Sequence, residues 1–143
     1  MRASLSALEH YDRCAEAAAA QIMRHYSTSF SLATRLLSPR VRVDIRNLYA
    51  MVRTADEIVD AGLDPQDAAV LLDAYEATVR AAPSQRFHAD PVVHAFALSA
   101  RRCGFSDEHV AQFFSSMRCD LTHRTHTHDS FEDYVCGSAE VIG

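Results

Sequence analysis

Arg53-Thr54-Ala55-Asp56-Glu57-Ile58-Val59-Asp60 is the stretch from which the rest of the chain can be read. At about 100° per residue, Tyr49, Arg53, Asp56 and Asp60 fall on one line along a helix. The neighbouring line carries Val41, Ile45, Leu48, Val52, Ala55 and Val59, which predicts a face turned to a core or a cavity. The acids border this apolar stripe instead of lying opposite it. A charge in that position is partly shielded from water and needs a partner. Spacing alone leaves two readings open. Arg53 can pair with Asp56 at i,i+3 or Glu57 at i,i+4, leaving the acids as a solvated face held by a few tenths of a kcal/mol. Alternatively, two carboxylates one turn apart can share a hard cation such as Mg²⁺, with phosphate oxygens and water completing its shell.

Working outward, four glycines and four prolines punctuate the chain, and most of them mark helix ends. Ser38-Pro39 starts the acid-bearing helix and Gly62 stops it. Upstream, Ser6 with Glu9 three residues later resembles a capping box. It opens a helix to about residue 25, with Leu8, Tyr11, Ala15, Ala18 and Ile22 on its apolar side, and alanines 17–20 permit close packing. Downstream, Asp64-Pro65 opens a helix with Leu72, Tyr75 and Val79 inside, and Asp90-Pro91 opens another that Gly104 terminates. Ser106 caps an element containing Val110, Phe113, Phe114, Met117 and Leu121. A last amphipathic helix is expected from Phe131, opened by Asp129 with Glu132 three residues on. The reading is all-α and one domain, with residues 81–90 as the most loop-like segment.

Composition supports this and narrows the function. The 143 residues are 48% hydrophobic and 23% charged, which suits a folded domain with a sizeable core. A formal charge of −5 without any Lys/Arg run leaves no nucleic-acid footprint. Four scattered cysteines without a C-x-x-C pair, and the lack of a signal-like N-terminus, fit a reducing cytoplasmic setting. No apolar run reaches the ~20 residues of a membrane span, while peripheral contact with a bilayer stays open.

Other constellations are weaker. Tyr26-Ser27-Thr28-Ser29-Phe30 places hydroxyls ahead of a short helical stretch, where they serve as caps or help to meet a phosphate. Asp120 lies beside an apolar stripe and reads first as an acid hydrogen-bonded to a neighbouring helix. Tyr134 suits core filler or a pocket wall. His123, His126 and His128 occupy a polar Thr/His/Arg segment without Cys or acid at matched spacing, so solvated histidines are expected there, not zinc. No catalytic triad or Gly-rich phosphate loop competes with the acidic helix.

Taken together, these segments resemble the N-terminal half of the squalene/phytoene synthases, the head-to-head trans-isoprenyl diphosphate synthases. The resemblance covers about residues 26–143. It rests on Tyr26-Ser27-Thr28-Ser29-Phe30, Leu48-Tyr49-Ala50-Met51-Val52-Arg53, the aspartate-rich Asp56-Glu57-Ile58-Val59-Asp60, Met117-Arg118-Cys119-Asp120-Leu121, and the segment from Tyr134 to the last residue. It implies an all-α isoprenoid-synthase bundle around a central prenyl-diphosphate pocket. Asp56, Glu57 and Asp60 would bind Mg²⁺, or Mn²⁺ in its place, bridging to a diphosphate; Arg53 would contact that diphosphate, and Ser27 and Ser29 would help anchor it. Phe30, Tyr49 and Tyr134 would line the prenyl cavity. The implied substrate is farnesyl or geranylgeranyl diphosphate, with any role of NADPH left open. Family members are about twice as long, so residues 1–143 are expected to form a single partial domain without the C-terminal half and its second aspartate-rich motif. Two rivals follow: a binding-only helical domain, or a related enzyme that ionises a prenyl diphosphate but hydrolyses it or couples it differently.

Overall fold

The structure is a computed structural model that describes residues 4–123. Six α-helices make up almost all of this range: α1 (Ala7–Tyr26), α2 (Thr28–Thr34), α3 (Pro39–Asp60), α4 (Pro65–Ala81), α5 (Pro91–Cys103) and α6 (Asp107–His123). A 3₁₀ turn at Ala82–Ser84 follows α4. The caps form as the sequence requires. Ser6 Oγ accepts the Glu9 N–H at 3.1 Å and Glu9 Oε1 accepts the Ser6 N–H at 3.4 Å, completing the capping box of α1. Pro39, Pro65 and Pro91 each stand at a helix start, where the missing N–H has no partner to lose. Asp64 and Asp90 cap the latter two through their carboxylates, at 2.9 Å to Gln66 N and 2.8 Å to Val92 N. At the far end of α5, Gly104 takes φ +68°, a left-handed conformation that lets its N–H reach the Ala100 carbonyl at 2.8 Å.

α3 is the shared wall of the bundle. On one side α1, α3 and α5 approach closely because Ala15, Ala19, Ala50 and Ala95 are all buried together at their contact. Across the other side, α4 and α6 close over α3 with Leu72, Val79, Phe113, Phe114 and Met117. Leu48, Val52, Ala55 and Val59 are buried as the apolar stripe predicts. Val41 departs from it: in the first turn of α3 it is 46% exposed, because the stripe begins before the neighbouring helices cover it.

Polar networks fix the helix order. Asn47, fully buried on α3, donates to Ser99 Oγ of α5 at 2.9 Å and Glu16 Oε2 of α1 at 3.2 Å. Ser99 Oγ and Arg102 both donate to Asp44 at 2.6 Å. A second set joins α4 to α6: Arg80 donates to both carboxylate oxygens of Asp107, at 3.0 and 2.8 Å, while Arg118 engages Asp73 and the buried Glu76. These pairs flank a shallow groove of about 660 Å³ that Ala77 and Ala81 help to line. A third set holds α1 to the 81–90 connection. Tyr11 Oη donates to the carbonyls of His88 and Ala89, and the fully buried His94 lies with Nε2 2.6 Å from Asp12 and Nδ1 accepting the His88 N–H.

Packing at the centre of the bundle gives a direct test. Phe114→Ala removes a fully buried ring and should cost about 3–5 kcal/mol in chemical denaturation. Leu36→Ala, at a side chain 90% exposed, should fall within about 0.5 kcal/mol of the parent chain.

Candidate functional site

The acidic line of α3 runs from the core out to solvent. Tyr49 is fully buried, Asp56 is 2% exposed, and Asp60 one turn later is exposed. Arg53 lies between them with little of its side chain exposed. Its Nη1 is 3.5 Å from Asp56 Oδ2, its Nη2 pairs with Glu57, and its guanidinium carbon stands 4.3 Å from the centroid of the Tyr26 ring. Both ion pairs foreseen from spacing are therefore formed. The stacked ring was not foreseen: Tyr26 ends α1 immediately before Ser27, and only the packing of α1 on α3 brings it beneath Arg53. Such a cation–π contact is worth roughly 0.5–2 kcal/mol and fixes the plane of the guanidinium.

Burial pushes the Asp56 carboxyl up to about 7; the neighbouring Asp60 charge adds to the rise and Arg53 opposes it. Asp56 also shares a side-chain hydrogen bond with Asp60, which favours a proton between the two. The donor set of this pair is hard oxygen, close-spaced and over-charged unless something positive neutralises it. That chemistry fits a divalent cation such as Mg²⁺, which one or two carboxylates hold alongside phosphate oxygens and water. Among the described residues no three His, Cys, Asp or Glu side chains converge as a ready-made metal centre. A cation here would need oxygens from outside this group.

The remaining predicted residues sit on α2 and beside it. Ser27 is buried and its hydroxyl accepts the Phe30 N–H at 3.2 Å, so it caps α2. Ser29 is exposed in the first turn of that helix. Phe30 is partly buried with its ring centroid 5.7 Å from that of Tyr49, so these two aromatics do come together. Tyr49 is packed into the core of the described residues instead of lining an open cavity. Behind the line, Tyr75 Oη donates to the Met51 carbonyl at 3.1 Å and Thr54 to that of Ala50 at 2.8 Å, anchoring the backbone of α3. An apolar groove of about 610 Å³ lined by Ala18, Gln21, Ile22, His25 and Tyr26 runs along α1 and ends at the ring that supports Arg53. His123 is the last described residue of α6, so it belongs to a helix and not to the polar loop expected for it. Tyr134, His126, His128 and the helix expected from Phe131 lie outside the described residues. Asp120 is partly buried on α6.

This arrangement and the order of its motifs define a class. Residues 23–143 match the squalene/phytoene synthase family, and the chain belongs to that family. It is also similar to a hydroxysqualene synthase of Sinorhizobium fredii (strain NBRC 101917 / NGR234), with 31% identity over 121 residues. That alignment takes in 83% of this chain and 40% of the relative, so the chain spans well under half of the relative's length. No solved structure matches it significantly. Among the described residues no helix is long and apolar enough to cross a membrane.

The raised Asp56 carboxyl has a thermodynamic consequence with a definite sign. Between the ordinary aspartate value of 3.8 and about 7, the folded chain keeps a proton that the unfolded chain has released. Stability therefore falls as pH rises through this window. In chelator-treated protein, Asp56→Asn should flatten that part of the melting-temperature profile and melt above the parent at pH 8, by a few degrees or more. An unchanged slope would show that Asp56 ionises freely in the fold.

Proposed function

We propose that the chain forms the first metal–diphosphate half-site of a prenyltransferase that joins two prenyl diphosphates head to head. The observation that carries this reading is the placement of Asp56 beside Arg53 at the boundary of an apolar core. A carboxyl in such a place costs stability in the ligand-free chain, and a divalent cation bridging to a diphosphate would offset that cost. Asp56 and Asp60 would hold Mg²⁺, with Mn²⁺ able to substitute and Glu57 completing the local charge. Bound Mg²⁺ supplies Lewis-acid withdrawal of charge from the departing diphosphate oxygens.

The other side chains then take distinct parts. Arg53, braced on Tyr26, can leave its ion pair with the half-buried Glu57 and present its planar fork to the diphosphate. In the reaction, the allylic C–O bond of one substrate breaks and its electron pair leaves with the diphosphate. The double bond of the second substrate attacks the resulting cation, and a proton is lost as the new carbon–carbon bonds close. Phe30 and Tyr134 would face the cation with π-electron density and exclude water from it, with the buried Tyr49 ring backing Phe30. Ser27 would support this by capping α2 and so fixing Phe30, while the exposed Ser29 would donate to a diphosphate oxygen. The similarity to a hydroxysqualene synthase favours farnesyl over geranylgeranyl diphosphate, with the second diphosphate then leaving and the resulting cation captured by water, which loses a proton. In that reading NADPH has no step. The second aspartate-rich motif and the opposite wall of the prenyl cavity would come from sequence that the relative has and this chain does not align with.

Calorimetry with a non-hydrolysable farnesyl thiodiphosphate and Mg²⁺ tests the assignment. Asp56→Asn and Asp60→Asn should each abolish Mg²⁺-dependent binding with helix content unchanged, because the acids supply charge and not packing. If both variants bind as the parent does, the acids only form ion pairs. Arg53→Lys should weaken binding by roughly tenfold or more, since an ammonium cannot form the two parallel hydrogen bonds of a guanidinium.

A further inference from the structure

The corner between α2 and α3 carries an apolar tip on a basic base. Leu36 is 90% exposed, Leu32 51%, Val41 46% and Leu37 38%, all within ten residues of chain. Single exposed leucines are ordinary, but four large apolar side chains on one corner are a patch. The corner is also held in shape. Arg42 Nη2 donates to the carbonyls of Arg35 at 3.3 Å and Leu37 at 3.2 Å, tying the turn back to α3.

Along the chain that leads to this tip the charge is of one sign. No Asp or Glu occurs in residues 17–43, in a chain whose net charge is −5. Among the described residues, Arg24, Arg35, Arg42 and Arg46 take part in none of the ion pairs that occupy Arg53, Arg80, Arg86, Arg102 and Arg118. Arg46 is held below the usual arginine range by burial and then by the positive charges of Arg42, Arg24 and Arg35, so the four guanidiniums share one electrostatic neighbourhood. A basic cluster without counter-charges calls for an anionic partner, and the leucines at its tip call for an apolar one.

We propose that the α2–α3 corner is a docking surface for an anionic lipid bilayer, with Leu32, Leu36, Leu37 and Val41 entering the acyl boundary and the arginines meeting lipid phosphates. A bilayer supplies both chemistries at the depth that a turn with flanking arginines can reach. Nucleic acid would satisfy the charge and leave the leucines in water. A second copy of this chain would cover the leucines and set arginine against arginine. The inference uses none of Arg53, Asp56 or Asp60 and stands apart from the metal–diphosphate reading.

Co-sedimentation of the whole chain with phosphatidylcholine vesicles, with and without phosphatidylglycerol, tests it in the absence of Mg²⁺ and diphosphate. The parent chain should pellet with the anionic vesicles and stay in solution with the neutral ones. Arg24→Gln/Arg35→Gln should lower the partition by roughly fivefold per arginine removed. Leu32→Ser/Leu36→Ser changes no charge and should lower it by roughly tenfold or more. Both pairs lie at exposed positions, and circular dichroism with thermal melting identifies any variant that fails to fold. Asp56→Asn should pellet as the parent does, which separates this test from that of the metal site. Failure to bind anionic vesicles overturns the proposal. So does binding that the leucine variant retains and that heparin matches, which would mark a polyanion surface, or a dimer in light scattering that the leucine variant abolishes.

Discussion

α3 has to be core and ionic site at once, and the rest of the structure follows from that constraint. Its apolar line is covered by α1 and α5 on one side and by α4 and α6 on the other. That cover leaves Asp56 nearly sealed, one helical line away from Val52 and Val59. A carboxyl so placed would be expelled or neutralised unless its surroundings supply positive charge. Arg53, Tyr26 and a proton shared with Asp60 meet this need in the ligand-free chain. They meet it incompletely, since the Asp56 carboxyl remains raised in spite of the arginine beside it. The ionised form of Asp56 therefore costs the ligand-free fold some stability.

Helix positions were legible because the punctuation is local. Pro39, Pro65, Pro91, Gly62 and Gly104 act within a turn of their own position, so the sequence marks helix ends without knowledge of the fold. The acidic line on α3 was legible for the same reason, as helical spacing alone places Arg53 against Asp56 and Glu57. What escaped was set by distant chain. Tyr26 reaches Arg53 only through the packing of α1 on α3, and Asp12, Arg86 and His94 meet across more than seventy residues. The exposure of Val41 is of this kind as well. Periodicity identifies the stripe it belongs to, but where that stripe stops being covered depends on where the partner helices end.

Ser27 illustrates how one contact can set both a helix start and the place of an aromatic ring. Its hydroxyl caps α2 by accepting the Phe30 N–H. That bond orients the first turn of a helix too short to hold its own shape in isolation. Phe30 then meets Tyr49, which is locked in the core. The cap is thus the means by which the Phe30 ring acquires a fixed position against Tyr49 of α3.

α2 also connects the two surfaces that the charge distribution separates. Its N-terminal end carries Ser27, Ser29 and Phe30, and its C-terminal end leads through Arg35 into the exposed leucines. Along α3 the corner and the acids are well separated, since Val41 and Asp56 lie fifteen residues apart, about 22 Å at 1.5 Å per residue. A carboxylate pair that recruits cations would be repelled by an anionic membrane, whereas arginines draw the chain toward one. The corner lies at the start of α3 and the acids in its last two turns, so a bilayer docked at the corner would leave the acids away from lipid phosphates.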